Sequence, residues 1–324
     1  MIKLLKKHIE ESENIVLFGH RNPDGDALGA TLGLCGVLKA MGKNATVILP
    51  NDFPTYLSWL GGANDIMVFS KHPEDTKKVL DAADFMFMLD FNAANRVGDL
   101  EEFIPTIPFA VIDHHPMPQF DTPMLFSDTS VSSTCEFLTN IIYDMALDTH
   151  IDKAIATALF VGILTDTGRF NHNSSNPQTY RMVANLLEKG VEKDAVIDAV
   201  FDSFSESRMR LMGFVLNEKM EVFKDEGLAL VALSLAEKEK FQFQAGDAEG
   251  FVNLPLSIAG IKKSIFMQEY DGMVRMSFRS KGEVAINTIA AEHFEGGGHR
   301  NAAGGVSYES LEKTLEKVKT IFNV

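Results

Sequence analysis

Short apolar runs alternate with helical periodicity from Met1 to Ser130, and this alternation sets the fold expectation. Five runs, Ile15–Phe18, Ala45–Leu49, Ile66–Phe69, Phe85–Leu89 and Phe109–Ile112, show little polar alternation and are bounded by Gly, Pro, Asn or Asp. Helical spacing separates several of them, as at Ala27–Met41 and Glu74–Ala82. Uninterrupted apolar strands joined by helices form a mostly parallel sheet covered on both faces. Sites in such sheets form at the carboxyl ends of the strands.

From Val131 the pattern turns helical. Ser132, Ser133 and Thr134 offer N-cap chemistry with Glu136 close behind. Ile151–Leu164 and Asn176–Lys189 read as helices, the second stopped by Gly190. Lys193–Phe223 carries helical patterns with alternating charge, such as Ser205–Lys219, and lacks the Gly/Ser/Pro bias of a flexible linker. Beyond Gly227, Leu228–Leu233, Ser264–Tyr270 and Met273–Phe278 read as strands, the last two joined at the hairpin signal Asp271-Gly272. A helix at Ala285–His293 and an amphipathic helix at Ser310–Ile321 follow. The expected organisation is an α/β domain over 1–190, a helical connector over 191–224, and a smaller α+β domain over 225–324. No internal repeat or low-complexity segment interrupts it.

Composition narrows the class. A chain of 324 residues has room for two domains. With 45% hydrophobic and 23% charged residues it reads as a soluble globular protein. No apolar run approaches the ~20 residues of a membrane span, and Met1–Glu13 mixes both charge signs, unlike a signal peptide. Cys35 and Cys135 lie in apolar segments and read as buried thiols of a reducing cytosol, so the expected location is cytoplasmic. The net charge of −15 argues against long-range attraction of bulk nucleic acid but permits a short anionic ligand held by metals and local cations.

Candidate chemistry sits where strands end. Gly19-His20-Arg21-Asn22-Pro23-Asp24-Gly25-Asp26 places an imidazole and two carboxylates on a strand-to-helix turn. Phe85–Leu89 runs into Asp90, and Phe109–Ile112 into Asp113-His114-His115. One carboxylate ending a strand is ordinarily a turn residue; three sequence-distant strands put Asp or His at the same end of one sheet. Asp166 ends an apolar helix, where a carboxylate opposes the dipole unless it faces a cation. His20, Asp24, Asp26, Asp90, His114 and Asp166 suffice for a two-metal site, and imidazole mixed with carboxylate suits Mn²⁺ better than thiolate-held Zn²⁺. His115 then faces substrate or supports a neighbouring ligand. Later, Glu295-Gly296-Gly297-Gly298-His299-Arg300 together with Arg279-Ser280-Lys281 reads as an anion-binding surface. His8, His72, His150 and His172 read as surface groups, and Trp59 as packing.

These motifs, in this order and over nearly the whole chain, resemble the DHH phosphoesterase superfamily, in the subgroup with a DHHA1 second domain. At this length the chain is similar to the bifunctional oligoribonuclease and pAp phosphatase (nanoRNase) group. One small departure is Ala30-Thr31, where the family often has a hydroxyl at the first position. The resemblance implies a site in a cleft between the domains with two Mn²⁺ ions, Mg²⁺ or Co²⁺ being admitted. It implies His20, Asp24 and Asp90 on one ion, and Asp26, Asp90, His114 and Asp166 on the other, with Asp90 bridging. It implies His115 at the scissile phosphate, supported by Asp113. Arg279, Ser280, Gly296, Gly297, Gly298, His299 and Arg300 are the implied substrate contacts. The implied substrates are single-stranded RNA of two to five nucleotides, cut to 5′-mononucleotides, and the 3′,5′-bisphosphonucleotide pAp, which loses its 3′-phosphate. No membrane partner is implied, and a homodimer is admitted. The rival expectations are an exopolyphosphatase, a cyclic or linear dinucleotide phosphodiesterase, and a nucleotide-binding sensor without turnover.

Overall fold

Two six-stranded sheets organise the chain in a computed structural model that describes residues 1–104, 107–202, 204–244 and 246–324. They belong to two compact units, Met1–Ser203 and Phe204–Val324. The boundary falls within the stretch read as a connector.

The first sheet contains β1 (Asn14–Phe18), β2 (Asn44–Leu49), β3 (Met67–Val68), β4 (Phe85–Leu89), β5 (Phe109–Asp113) and β6 (Leu125–Ser127). Their order is β3-β2-β1-β4-β5-β6, and every pairing is parallel. Helices α1 (Ile2–Glu11), α2 (Gly25–Ala40), α3 (Pro73–Ala82), α4 (Thr134–Asp144), α5 (Lys153–Asp166), α6 (Pro177–Glu188) and α7 (Lys193–Phe201) complete the unit. Strand residues alternate between two cores, which explains why the runs are apolar throughout. Ile15, Leu17, Phe85, Phe87, Ala110 and Ile112 pack with α1, α2, α4 and α5. Val16, Phe18, Met86, Met88 and Val111 pack on the other face with Leu80 of α3 and with Val97 and Leu100 of a 3₁₀ stretch, Ala94–Phe103.

The second unit holds α8 (Glu206–Phe214), β7 (Met220–Phe223), β8 (Leu228–Leu233), α9 (Leu235–Lys240), β9 (Lys263–Tyr270), β10 (Met273–Ser280), α10 (Ile286–His293), β11 (Gly297–His299), β12 (Ala302–Ser307) and α11 (Leu311–Phe322). Its sheet runs β11-β12-β10-β9-β8-β7 and is antiparallel except between β8 and β9. The β9–β10 hairpin turns at Asp271-Gly272, with Gly272 at φ +73°. One face packs on α10 and α11, the other on Leu211 of α8 and the Phe251 segment.

Several elements differ from the sequence expectation. The Ile66–Phe69 run contributes only two strand residues. Strands β6, β7, β11 and β12 are additional. β6 is a three-residue edge, β7 is half-buried with mixed polarity, and β11 and β12 are too rich in glycine to show side-chain alternation. Trp59 is 43% exposed rather than packed, and His8 stacks on Phe85 with ring centroids 5.3 Å apart. No helix of the described residues is long and apolar enough to cross a membrane.

Candidate metal centre

The order of the first sheet makes β1, β4 and β5 neighbours, so the three chemistry-bearing strand ends lie side by side. His20 follows β1, Asp90 directly follows the central β4, and β5 delivers Asp113, His114 and His115. Asp24 is the N-cap of α2, its Oδ1 accepting from the N–H groups of Asp26 (3.0 Å) and Ala27 (3.1 Å). Asp26 follows in the first turn and is 1% exposed. Its burial is supported by the start of α4: Thr134 N–H donates to Oδ2 at 2.6 Å and Cys135 N–H to Oδ1 at 2.9 Å. Two helix N-termini thus favour its negative charge.

Asp166 arrives from a different direction, as the last residue of α5. Helix α2 lies unusually close to α5 because glycines line the shared face. A Cβ at Gly25 would stand 2.4 Å from Thr165 Oγ1, at Gly29 2.4 Å from the Ala158 carbonyl, at Gly33 2.6 Å from Leu159, and at Gly36 2.5 Å from Ile155. These contacts run antiparallel and bring the N-terminus of α2 beside the C-terminus of α5. On α5, Gly162 reciprocates: a Cβ there would stand 2.2 Å from Cys135 Sγ and 2.8 Å from Asp26 Oδ1.

The assembled donors form two overlapping groups, His20-Asp24-Asp90 and Asp26-Asp90-His114, each with one ligand atom per residue inside a 4.8 Å span. Asp90 divides its oxygens between them. Oδ2 lies 3.4 Å from His20 Nε2, and Oδ1 lies 3.7 Å from His114 Nε2. His20 Nε2 is also 3.9 Å from Asp24 Oδ1, and His114 Nε2 is 3.9 Å from Asp26 Oδ2 and 3.6 Å from Asp166 Oδ2. These separations are too long for hydrogen bonds. They suit donors that share a cation at roughly 2.1–2.5 Å from each. Tautomers agree with this role. His20 Nδ1 lies 2.9 Å from the Arg21 carbonyl, which only accepts, so the proton sits there and the Nε2 lone pair is left for a ligand bond. A third grouping, Asp90-Asp113-His115, is already closed internally, since His115 Nδ1 lies 2.7 Å from Asp113 Oδ1.

Electrostatics give an independent test of whether a cation fits. Burial, followed by the charges of Asp26 and Asp24, pushes Asp90 well above the usual carboxylate range. Burial and the Asp24 charge push Asp26 up to about 6. Burial, then the charge of His115, depresses His114 to about 4, so it is neutral and ligand-ready at neutral pH. Among the described residues, the ion-pair partners of Asp24, Asp26 and Asp90 are histidines, never Lys or Arg. Two buried carboxylates, Asp26 and Asp90, whose ion-pair partners among the described residues include no Lys or Arg, beside a neutral His114, are what a divalent cation stabilises. His115 differs: burial opposes its charge, but the Asp113 hydrogen bond and the Asp90 and Asp113 charges outweigh it and raise its pKa.

The predicted anion-binding residues gather at one edge of the second sheet. Arg279, in β10, pairs with Ala302 of β12, which in turn pairs with His299 of β11. Arg279 Nη1 donates to the Phe278 carbonyl at 2.9 Å. Ser280 spends its hydroxyl internally, donating to the Val284 carbonyl at 2.6 Å and accepting from Asn301 Nδ2 at 2.8 Å. Arg300 pairs with Glu283 at 2.6 Å, and Lys281 donates to the Leu256 carbonyl. Gly297 is exposed and opens β11. Gly296 and Gly298 have a packing reason as well: a Cβ would stand 2.1 Å from the Gly304 carbonyl or 2.5 Å from that of Ala302.

Sequence reasoning missed three contributors. Thr134 reads as a helix cap, yet its hydroxyl donates to Asp90 Oδ1 at 2.8 Å. The α2 glycines stand at intervals of four, four and three residues, which names a helix face, but their partner helix is not visible in the sequence. Arg96, in the 3₁₀ stretch, is tied to the metal turn by the Arg21 N–H to Arg96 carbonyl bond of 2.7 Å, and its charge opposes protonation of His115.

Comparison with known proteins follows the same division of the chain. The family model described as the DHH family, N-terminal domain, matches residues 14–163, and that of the DHHA1 domain matches residues 227–323. A Streptococcus mutans protein named "Probable bifunctional oligoribonuclease and PAP phosphatase NrnA" is 30% identical, over 96% of this chain and 94% of its own length. The Thermus thermophilus "Bifunctional oligoribonuclease and PAP phosphatase NrnA" is also 30% identical, over 94% of this chain and 89% of its own. Among solved structures, an exopolyphosphatase-related protein from Bacteroides fragilis superposes with a TM-score of 0.93 at 39% identity, covering 100% of this chain and 97% of that one. The chain belongs to the DHH family, in the form that carries a DHHA1 domain.

Proposed function

We propose that this chain is a metal-dependent phosphoesterase that hydrolyses RNA fragments of two to five nucleotides to 5′-mononucleotides and removes the 3′-phosphate of pAp. The observation that carries the reading is the division of the Asp90 oxygens between two donor groups. His20, Asp24 and Asp90 would hold one ion, and Asp26, Asp90, His114 and Asp166 the other. Mn²⁺ suits this mixture of imidazole and carboxylate. When bound, such a pair supplies activated water and neutralises charge on the phosphoryl group.

The chain's own residues do the rest. Asp113 fixes the proton of His115 on Nδ1 and favours the charged imidazolium. His115 therefore has a second proton, on Nε2, to offer a phosphate oxygen or the departing hydroxyl. The P–O bond to the leaving group breaks, water adds to phosphorus, and the leaving oxygen ends protonated. In the second unit, Arg279, His299 and Arg300 with the Gly296–Gly298 loop would take the remaining phosphate and sugar. Ser280 would join them only by releasing its Val284 bond.

The names of the two bacterial relatives support RNA fragments and pAp as substrates. A second reading, polyphosphate hydrolysis, is favoured by the description of the Bacteroides fragilis structure. A turnover assay with Mn²⁺ on a diadenylate RNA, pAp and a short polyphosphate separates them. Release of AMP from the first two, with polyphosphate intact, is expected. Polyphosphate consumed fastest would keep the centre and overturn the substrate.

A further inference from the structure

We propose that Thr134 is a positioning residue that fixes the rotation of the Asp90 carboxylate and thereby sets the affinity of one ion selectively, the one held by Asp26, Asp90, His114 and Asp166. This rests on the two-ion reading of the centre.

Thr134 is fully buried and touches two of the candidate ligands through different atoms. Its hydroxyl donates to Asp90 Oδ1 at 2.8 Å, and its N–H donates to Asp26 Oδ2 at 2.6 Å. Both carboxylates belong to the same donor group. The hydroxyl is not needed to cap α4, because Ser133 does that, its Oγ accepting from Glu136 N–H at 3.0 Å. The turn carrying Thr134 is held in place from outside the centre. Glu136 Oε2 accepts from Ser132 N–H at 3.0 Å, Ser132 Oγ at 2.5 Å and Thr179 Oγ1 at 2.8 Å. Thr134 is therefore a fixed donor aimed at a carboxylate that would otherwise be able to turn about its Cβ–Cγ bond.

That rotation decides what Asp90 can do. With Oδ1 tied to Thr134, Oδ1 stays on the His114 side and Oδ2 on the His20 side. Without the tie, both oxygens are available to one ion, as carboxylates bind hard cations in either mono- or bidentate fashion. The loss falls on the group that already depends on Thr134, since Oδ1 serves that side. Partners of this kind are worth about 10–100-fold in metal affinity.

The experiment is a calorimetric titration of Mn²⁺ into the chelator-treated full chain, for wild type, Thr134→Val and Thr134→Ser. Valine keeps the shape and the N–H but removes the hydroxyl; serine keeps the hydroxyl. Wild type is expected to take two ions. Thr134→Val is expected to keep one affinity and weaken the other by about 10–100-fold, and Thr134→Ser to stay within a few-fold of wild type. In a His20→Gln background, where the remaining ion is the one named, Thr134→Val should weaken it directly. The magnetic coupling of a Mn²⁺ pair, read by electron paramagnetic resonance, should disappear in Thr134→Val at concentrations that fill wild type. Two unchanged affinities, two equally weakened ones, or no recovery with serine would each overturn the proposal. A wild type that binds a single ion would instead overturn the two-ion reading on which it rests.

Discussion

At Asp90 the backbone takes φ +68°, a left-handed conformation that non-glycine residues adopt rarely and aspartate and asparagine more readily than others. The residue is also 2% exposed and sits among carboxylates. Both features work against the metal-free fold, in which Oδ2 lies toward His20 and Oδ1 toward His114. A carboxyl whose folded pKa lies above its unfolded value holds its proton longer in the folded state, so stability rises as pH falls through the raised value and is lost as pH climbs. For chelated protein, the stability attributable to Asp26 and Asp90 should therefore grow as pH drops from 8 through about 6, the Asp26 value. Asp90→Asn keeps the shape, the tolerated φ and an acceptor for Thr134, but removes the charge. Scanning calorimetry of the chelated chains should show Asp90→Asn melting above wild type at pH 8, with the gap narrowing toward pH 5. Each kcal/mol relieved moves the midpoint by roughly 2–4 °C at this unit size. With Mn²⁺ added the order should reverse, since wild type gains more binding energy than a variant without the shared carboxylate. A variant that melts lower than wild type at pH 8 without metal would show that the carboxylate cluster is not under electrostatic strain.

Among the elements, the close approach of α2 and α5 converts a stripe of small residues into a placed carboxylate. On the α5 side, at Gly162, an added methyl would stand 2.2 Å from Cys135 Sγ of α4 and 2.8 Å from Asp26 Oδ1 of α2. Gly162→Ala forces α5 away from α4 and α2, an overpacking that costs typically 1–3 kcal/mol. It also moves Asp166 and Asp26 apart, so Mn²⁺ affinity should fall at least tenfold. Gly213→Ala, on a helix with nothing within 4 Å of the new methyl, is the control expected to leave metal affinity unchanged while raising stability by about 0.5–1 kcal/mol. Equal metal affinity in Gly162→Ala and wild type would sever the helix contact from the site. The same comparison shows what a sequence can disclose. The strand ends were legible because His20, Asp90 and Asp113-His114-His115 each break an apolar run, and a parallel sheet aligns such breaks. Asp166 was legible as a polar end to an apolar helix. The glycine stripe was not, because helical spacing names a face without naming what lies against it. The Thr134 hydroxyl was hidden for a similar reason: the Ser-Ser-Thr run announces the start of a helix, while the direction of the Thr134 side chain depends on Asp90, 44 positions away in sequence.

For the molecule as a whole, the net charge of −15 has to be reconciled with anionic substrates. Basic nucleases gain affinity from counterion release, so their binding weakens steeply with salt. Here the long-range field repels a polyanion, while the proposed contacts (two ions, Arg279, His299, Arg300) are local. A dinucleotide presents one phosphodiester to those contacts and feels little of the distant field. Each added nucleotide brings a further negative charge that meets the repulsion. The KM penalty for lengthening the substrate should therefore be largest at low ionic strength. Raising salt from 20 to 300 mM shortens the Debye length from roughly 20 Å to about 6 Å and should bring the KM of a ten-nucleotide RNA closer to that of the dinucleotide, by about threefold to tenfold. Steady-state kinetics on a length series at both salt concentrations, with Mn²⁺ held constant, measures this. The sign is the diagnostic part: if the long substrate loses affinity with salt faster than the short one, a basic track must guide it, and the preference for short fragments must then arise from the shape of the site instead of from charge.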